Sequence, residues 1–572
     1  MATYRLTTKY ENDMDKEAPH AYYPRPSMVR DSFLSLNGEW SFGTGKREDA
    51  GCLCERILLP FPPESPLSGI CRGISPDEYM HYERRVTLPS GFMKDRLILH
   101  FGAIDQEAWV YVDGRLVAER LGGYIPFSAD ITDAVSGSEF LLHVVCRDAL
   151  DKRYPYGKQT AKRGGMWYTP VSGIWQSVWL ESLPNDYICN LKFTQIEGGV
   201  HLDVFGVDTF TVKLLGDIPL IGAEGGVLFG DSRGVDILPE SPRLWSPEDP
   251  YIYRVEIEAK EDRVESYFAI RSFSVGEFSG KRRLALNGKP YVCNGLLDQG
   301  YYPDGIFLPA TREGYADDIR LAKSLGFNTL RKHIKIEPEI FYYLCDTMGI
   351  LVFQDMVNSS DYSFIRDTVL PTIGIQRLSD KRLHRDPKTR EIFERTMKET
   401  AELLYNHPSV VYYTVFNEGW GQFSADEEYK KLRAIDPTRV IDATSGWWRE
   451  SESDVDSRHI YFKALKPKKL DGRPLVISEF GGYSYRVPGH VFSDANYGYR
   501  TFTDADKFED AVIRLYEDEV LPLVREGASA FIYTQVSDVE DETNGFVTYD
   551  RRVVKVDKER IYPVISKCSG EV

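Results

Sequence analysis

The 572 residues include 87 acidic and 70 basic side chains, which give a formal net charge of −17 at pH 7, and 42% are hydrophobic. This length suits three or four domains, and the acidity argues against binding to nucleic acid or to an anionic membrane surface. No apolar run is long enough to span a bilayer or to act as a targeting segment, and the eight cysteines form neither a zinc pattern nor a disulfide framework. We expect a cytoplasmic, reduced protein without nucleic-acid or membrane partners; homo-oligomerisation stays open.

The first third of the chain reads as short strands separated by turn residues. Residues 109–118 alternate apolar and polar side chains around Asp113-Gly114, a strong hairpin signal. Similar strands occur at 96–101, 140–147 and 176–180, and long helical periodicity is absent. Residues 1–183 are therefore predicted to form a β jelly roll.

A second stretch of short strands follows the break at Leu183-Pro184. It runs through 209–215 to 251–259, with a proline-rich link at 243–250 before the last strand. About 90 residues of short strands are typical of a small immunoglobulin-like β-sandwich, which we assign to residues 184–275.

After Phe273, apolar runs alternate with helix-like stretches such as 312–325, 389–405 and 504–526. The eight runs are 291–295, 327–333, 350–356, 409–418, 439–446, 459–462, 474–481 and 528–537. Eight buried strands with helical crossovers predict a (β/α)₈ barrel over residues 276–572. An open doubly wound sheet is the alternative, but no Gly-x-Gly-x-x-Gly turn follows the first strand.

Two of the predicted barrel strands end in a glutamate. Residues 409–418 close on Asn417-Glu418, and residues 474–481 contain Glu479, with Gly481 and Gly482 after Phe480. Catalytic groups of such barrels lie at the carboxyl ends of the strands, and retaining glycoside hydrolysis needs one carboxylate nucleophile and one carboxylic acid. One such glutamate alone would more often begin a solvated loop; the pair favours catalysis.

These motifs resemble a known family. Asn417-Glu418 and residues 478–481 are similar to the acid/base and nucleophile motifs of glycoside hydrolase family 2, which includes β-galactosidases, β-glucuronidases and β-mannosidases. Residues 36–42, 172–181 and 243–250 resemble segments of the family's two β domains, in the same order. The resemblance implies a retaining exo-β-glycosidase that hydrolyses terminal sugars of oligosaccharides or glycoconjugates, with Glu418 as acid/base and Glu479 as nucleophile.

Other strand ends supply candidate substrate-binding residues. Asn417 is suited to hold the sugar 2-hydroxyl, and Tyr461 to orient Glu479. The remaining candidates here are Asp298, His459, Trp447, Trp448 and Gln535. Each also has a structural interpretation, as a turn former, a packed core residue or a cap on the barrel. The glycine-rich stretch 162–168 either reaches from the jelly roll to the barrel mouth or is an exposed loop.

The choice of sugar depends on the second strand, where Arg331, Lys332, His333 and Lys335 replace the Arg-x-Ser-His-Tyr-Pro type of segment found in many family members. Arg331, His333 and Lys335 can bind a carboxylate and would favour a β-hexuronide; with equal weight, the lysines pair with nearby acidic residues. The Asn-x-Lys element of β-glucuronidases is missing from residues 543–547. We therefore expect a β-galactoside first and a β-hexuronide second, without a required metal or cofactor. A non-catalytic carbohydrate-binding protein and a transglycosylating enzyme are the alternatives.

Overall fold

The computed structural model describes residues 3–49, 51–216, 218–375, 379–467 and 471–570. Its first part packs two antiparallel sheets face to face. The six-stranded sheet is, in spatial order, Glu55–Leu59, Gly38–Gly45, Tyr79–Thr87, Glu139–Arg147, Glu107–Val112 and Arg115–Leu121. The four-stranded sheet is Phe33–Ser35, Val178–Leu183, Arg96–Phe101 and Phe127–Asp130, and Ile104–Asp105 pairs separately with Gly173–Ile174. Ala108, Val110 and Val112 point into the core between less buried neighbours, as the two-residue period of a strand requires. The predicted jelly roll is confirmed.

Cys52 and Cys54 are paired as a disulfide before the strand Glu55–Leu59. The sequence analysis expects only reduced cysteines, and for this pair that expectation is wrong. One intervening residue places the two Cα atoms 5.3 Å apart, which is within the range that a disulfide bridges.

The second part is a smaller antiparallel sandwich, as the sequence predicts. One sheet comprises Asn190–Ile196, Gly199–Phe205 and Val235–Ile237, and the other comprises Val227–Asp231, Thr209–Leu214, Tyr253–Ala259 and Asp262–Phe268. Buried side chains from both sheets, including Leu202, Val212 and Ile257, form its core.

A small sheet lies against the barrel. Its strands are Phe273–Phe278, Lys281–Leu286 and Lys289–Pro290, and the first of them runs across the boundary expected between residues 275 and 276. Leu284 and Leu286 belong to the same buried cluster as Leu351 and Phe353 of the barrel strands. The sheet therefore contributes to the barrel core.

The third part is a parallel eight-stranded barrel, which confirms the predicted fold. We number its strands in chain order: β1 Cys293–Asp298, β2 Thr329–Lys332, β3 Leu351–Asp355, β4 Val410–Asn417, β5 Val440–Ser445, β6 Asp456–Ile460, β7 Leu475–Gly481 and β8 Ala530–Thr534. Their spatial order is β5-β4-β3-β2-β1-β8-β7-β6, and every pairing in it is parallel. Parallel strands covered on both faces are buried throughout, which explains the continuous apolar runs in the sequence.

Helices connect and cover these strands. They are Glu313–Ser324, Glu339–Met348, Leu370–Thr372, Pro387–Leu404, Ala425–Ile435, Ala505–Leu515, Leu521–Glu526, Lys558–Ile565 and Lys567–Gly570, with π-helical turns at Phe364–Val369 and Tyr516–Val520. Short 3₁₀ turns occur at Glu11–Asp13, Pro66–Ser68, Thr132–Ala134 and Asp380–Arg382. Within the described ranges, none of the helices has the length and apolar character that crossing a membrane requires.

A buried arginine joins the two β domains. The Arg30 guanidinium donates to Asp262 of the sandwich at 3.0 and 2.8 Å and to Glu181 of the jelly roll at 3.2 Å. The side chains of all three residues are at most 3% exposed. A buried carboxylate needs such a cation to offset the loss of its hydration, so Arg30 stabilises the interface between the domains.

We expect Arg30→Met to lower the free energy of unfolding by about 3 kcal/mol, because it leaves two buried carboxylates without their shared cation. Urea unfolding, followed by circular dichroism, measures the change in the transition midpoint. Arg56→Met is the matched control, since Arg56 pairs with Glu39 on the surface with both side chains more than 60% exposed, and its midpoint should match the wild type. Equal midpoints for all three proteins would contradict this role of Arg30.

Candidate active site

Glu418 and Glu479 lie close together at the carboxyl ends of β4 and β7. Glu418 directly follows β4 in a left-handed conformation (φ 52°), and Gly419 continues the tight turn at φ 76°. Glu479 lies within β7 and is 5% exposed. One carboxylate oxygen of each glutamate and one ring nitrogen of His459 lie within 4.8 Å of one another. Two carboxyl groups about 5 Å apart suit a retaining glycosidase, since an inverting one needs about 6.5–9.5 Å.

His459, in β6, contacts both carboxyl groups. Its Nδ1 lies 2.8 Å from Glu418 Oε1 and 3.6 Å from Glu479 Oε2, and its Nε2 lies 3.4 Å from an Arg331 nitrogen. Arginine only donates hydrogen bonds, so Nε2 accepts in that contact and Nδ1 is the ring nitrogen that donates to Glu418. This contact fixes Oε1 of Glu418 and leaves Oε2 for other partners.

The two glutamates have opposite electrostatic environments. Glu479 accepts hydrogen bonds from Arg331 at 3.1 Å and from the Tyr461 hydroxyl. Burial opposes its ionisation, but His459, Arg331, His333 and Tyr461 outweigh burial and lower the pKa of Glu479 to about 2. For Glu418, burial and the neighbouring charge of Glu479 raise the pKa, against the opposing hydrogen bond from His459. One group is therefore held ionised and the other is biased towards its protonated form.

Asn417 presents a free amide to the same pocket. Its Oδ1 accepts a 2.8 Å hydrogen bond from Arg331, which fixes the orientation of the amide. Its Nδ2 is buried and has no hydrogen-bond partner within the described part of the chain, and the residue lines the pocket with both glutamates. The amide is therefore placed to donate to a ligand.

His333 lines the pocket, whereas Arg331 lies behind it. His333 Nδ1 is 2.8 Å from Asp355, and burial lowers the pKa of the ring to about 4, so the ring is neutral near pH 7. Arg331 is fully buried and donates to Asp355, Ser478 O, Glu479 and Asn417 at 2.8–3.1 Å. It orients these groups but is itself shielded from the pocket.

Several pocket residues were missed by the sequence analysis. The jelly roll sends residues 148–172, which we call the strap, across the barrel mouth, where Lys158 lines the pocket together with Met166 of the predicted glycine-rich stretch. The barrel adds Leu297, Gln299, Trp420, Tyr497, Tyr499, Thr534 and Glu542. Gln299 and Trp420 each adjoin a strand-end candidate and could have been found from that position. Leu297 and Thr534 lie at the ends of β1 and β8, next to the candidates Asp298 and Gln535, and could have been found in the same way. Lys158, Tyr497, Tyr499 and Glu542 lie on long connections that carry no periodic signal.

Two groups of aromatic rings lie at the pocket. Trp167 of the strap stacks on Trp420 with ring centres 5.4 Å apart, and Tyr362 meets Trp420 edge-on at 5.5 Å. Tyr461 stacks on Tyr499 at 3.8 Å. The glycine-rich stretch therefore does reach the barrel mouth, and the aromatic surface offers apolar faces to a ring-shaped ligand.

Comparison with known proteins agrees with this architecture. The model described as "Glycosyl hydrolases family 2, TIM barrel domain" matches residues 281–552, and the one described as "Glycosyl hydrolases family 2, sugar binding domain" matches residues 72–184. The chain belongs to glycoside hydrolase family 2. It is 25% identical to a β-galactosidase of Thermoanaerobacter pseudethanolicus over 431 residues, which cover 71% of this chain and 54% of that protein.

Family 2 relatives with a second activity align over a similar length. A β-glucuronidase of Streptococcus agalactiae is 22% identical over 470 residues, or 73% of this chain and 72% of the relative. The solved structure of a β-D-glucuronidase from Dictyoglomus thermophilum superposes with a TM-score of 0.73 at 19% identity, covering 95% of this chain and 98% of that one. At this identity the structural match shows the fold alone. The chain spans about half the length of the β-galactosidase relative.

Two predicted substrate-binding residues of this family 2 chain, Lys335 and Asp298, contact protein groups instead. Lys335 donates to Gly300 O at 2.6 Å, Phe307 O at 2.7 Å and Glu337 at 2.8 Å, which uses all three of its donors. Asp298 pairs with Lys332 at 2.6 Å, while its neighbours Leu297 and Gln299 line the pocket. Successive strand residues point in opposite directions, so Asp298, at the end of β1, faces away from the pocket that Leu297 lines.

Three further residues that were predicted to bind substrate contact protein groups behind the pocket. Trp447 donates to Glu418 O at 2.9 Å, and Trp448 packs directly on Gly419, so both brace the turn that carries Glu418. Gln535 accepts from Gln299 at 2.9 Å and donates to Glu542 at 3.2 Å. The described lining of the pocket includes none of these three side chains. Gln535 is completely buried, which explains why it reaches only other protein groups.

We expect Lys335→Met to reduce stability without changing sugar preference, because its ammonium holds Glu337 and two carbonyl groups instead of a substrate. Removing one partner from such a buried pair costs about 3 kcal/mol or more. Urea unfolding measures the loss, and the ratio of sugar affinities of the folded protein measures preference. A selective loss of acidic-sugar binding with unchanged stability would restore the prediction that Lys335 binds a substrate carboxylate.

Proposed function

We propose that this family 2 protein is a retaining exo-β-glycosidase, with Glu479 as nucleophile and Glu418 as acid/base. The observation that carries the proposal is a pair of carboxyl groups whose oxygens lie within 4.8 Å and whose pKa values shift in opposite directions. Environments that separate the pKa values of two neighbouring carboxyls assign their acid and base roles. The strap and the loops after the barrel strands line one pocket with both carboxyl groups, and the family resemblance implies action on a terminal sugar.

In the first step, an ionised oxygen of Glu479 attacks the anomeric carbon while Glu418 gives its proton to the leaving glycosidic oxygen. The leaving alcohol departs, and Glu479 becomes a neutral ester of the sugar. In the second step, Glu418 takes a proton from water, the hydroxide attacks the anomeric carbon, and Glu479 departs as a carboxylate. Because esterification removes the charge that raises the pKa of Glu418, the same carboxyl group becomes suited to act as the base.

A β-galactoside is the proposed substrate. The cations that favoured a uronic acid in the sequence, Arg331 and Lys335, bind protein groups instead. The β-galactosidase relative supports a neutral sugar. A β-hexuronide is the second candidate, supported by the β-glucuronidase relative. A panel of nitrophenyl β-galactoside, β-glucoside, β-glucuronide and β-galacturonide distinguishes these sugars.

We expect Glu479→Gln to reduce turnover by at least about 10³-fold, because no covalent intermediate can form. Added azide should then give an α-glycosyl azide by direct displacement. Glu418→Ala should lose most activity on poor leaving groups and keep more on nitrophenyl glycosides, which need no proton. Product analysis by NMR reads the anomeric configuration.

Glu428→Gln is the control for this pair, since Glu428 is a buried glutamate on the helix Ala425–Ile435, outside the described pocket lining. It should retain wild-type product configuration and turnover. Wild-type rates in both Glu418 and Glu479 variants would contradict the assignment. Sugar binding without product from the wild type would favour a binding protein, and glycoside products formed with an added alcohol would favour transglycosylation.

We expect activity to fall at both high and low pH, with a different glutamate responsible for each fall. Activity should fall as pH rises through the elevated pKa of Glu418, because the acid loses its proton. It should fall on the acid side only as pH approaches about 2, where Glu479 becomes protonated. Measuring kcat/KM against pH, with the unfolding midpoint at each pH as control, locates both limbs. With an activated leaving group, Glu418→Ala should lose the alkaline limb; an unchanged limb would exclude Glu418 as its source.

A further inference from the structure

Lys158 brings a buried ammonium group into the pocket from the strap. The residue is 7% exposed and lines the pocket with Glu418 and Glu479. Its Nζ lies 5.5 Å from the centre of the Tyr168 ring and 6.0 Å from that of Trp420. Among the described residues, Glu542 at 3.9 Å is the one ionic partner within 4 Å of Nζ, and Nζ has no hydrogen-bond partner. Buried ammonium groups normally fill their three donor positions with hydrogen bonds. Because the donor positions of Lys158 are unfilled, they are available to a ligand.

Glu542 is fixed beside Lys158 by the protein. Its Oε1 accepts a 2.8 Å hydrogen bond from Tyr168, and its Oε2 accepts from Gln535 at 3.2 Å and from Asn544 at 3.3 Å. A carboxylate offers about four acceptor positions, so capacity remains on the pocket side. The pocket therefore holds a charged donor next to a charged acceptor, contributed by two different domains.

Such a pair matches a sugar hydroxyl better than a carboxylate. A hydroxyl both donates and accepts, so it can bond to Glu542 and Lys158 at once. A uronic acid would bring a second negative charge beside Glu542, and like charges at this range repel unless one is protonated. Hydrogen bonds to charged groups are among the stronger ones in proteins.

We propose that Lys158 and Glu542 jointly bind a hydroxyl group of the sugar and thereby select neutral glycosides over uronides. This inference rests on the proposed function for its substrate class. Lys158 of the jelly roll and Glu542, which follows β8, then recognise the sugar, and neither residue takes part in bond cleavage.

The test compares wild type, Lys158→Met, Glu542→Gln and the double variant. Methionine keeps an apolar stem of similar length against Tyr168 and Trp420. Lys162→Met is the matched control, because Lys162 is an exposed strap lysine outside the described pocket lining. Isothermal titration with galactose, its 4-deoxy and 6-deoxy analogues and galacturonate measures binding without any need for hydrolysis. The nitrophenyl glycosides of galactose and galacturonate measure kcat/KM in parallel.

We expect Lys158→Met to weaken galactose binding by about 10- to 100-fold, the effect of removing a hydrogen bond to a charged group. The loss should be much smaller for the deoxy analogue that lacks the contacted hydroxyl. Glu542→Gln should increase the ratio of galacturonate to galactose affinity by at least about 10-fold, and the double variant should lose that gain. Lys162→Met should bind every ligand like the wild type.

Wild-type galactose affinity in Lys158→Met, or an equal loss for every deoxy analogue, would overturn the inference. So would an unchanged acid-to-neutral ratio in Glu542→Gln, or failure of the wild type to bind any of these sugars. Sugar binding that depends on Lys158 and Glu542 in a wild type that hydrolyses none of the glycosides would support the inference and reject the proposed function. The two failures are therefore distinguishable.

Discussion

The guanidinium group of Arg331 contacts the ends of four other barrel strands. From β2 it reaches Asp355 in β3, Asn417 in β4, His459 in β6 and Glu479 in β7. A completely buried cation is stable only where carboxylates and hydrogen-bond acceptors surround it, so these strand ends must keep one arrangement. That arrangement holds Glu479 ionised and turns the Asn417 amide towards the pocket. The opposite shifts of the two pKa values follow from it, because the charge kept on Glu479 raises the pKa of Glu418.

The fold and the two glutamates could be predicted from the sequence because their signals are local. Each barrel strand is a continuous apolar run, since both of its faces are covered, and Glu418 and Glu479 stand at the ends of two such runs. The position of a carboxyl group at a strand end does not depend on details of packing. The site placement of His333, Asn417 and Tyr461 could be predicted for the same reason. The resemblance to the family motifs, in their order along the chain, suggested which glutamate is the nucleophile and which is the acid/base; these roles remain proposals.

The remaining site residues depend on side-chain direction and on distant parts of the chain. Asp298 faces Lys332 while its neighbours on either side face the pocket, a difference of one strand position that an apolar run does not reveal. For Lys335 the sequence left substrate binding and pairing with an acidic neighbour equally open, because Glu337 was one of several acidic residues nearby. Tyr497 and Tyr499 reach the pocket on a long connection after β7, where no periodic pattern indicates which side chains turn inwards.

The jelly roll contributes to the same pocket as the barrel. The strap is bonded to the barrel on both sides of Lys158, through Tyr156 to Asn358 O at 3.0 Å and through Tyr168 to Glu542 at 2.8 Å. Gly157 allows the close approach, because a side chain there would lie 3.0 Å from Ile334 O. These contacts fix the ammonium of Lys158 beside Glu542 before any ligand arrives, which reduces the entropy that binding must overcome. The barrel supplies both carboxyl groups, but its pocket lacks one wall and a charged donor without the jelly roll, so the two domains form one functional unit.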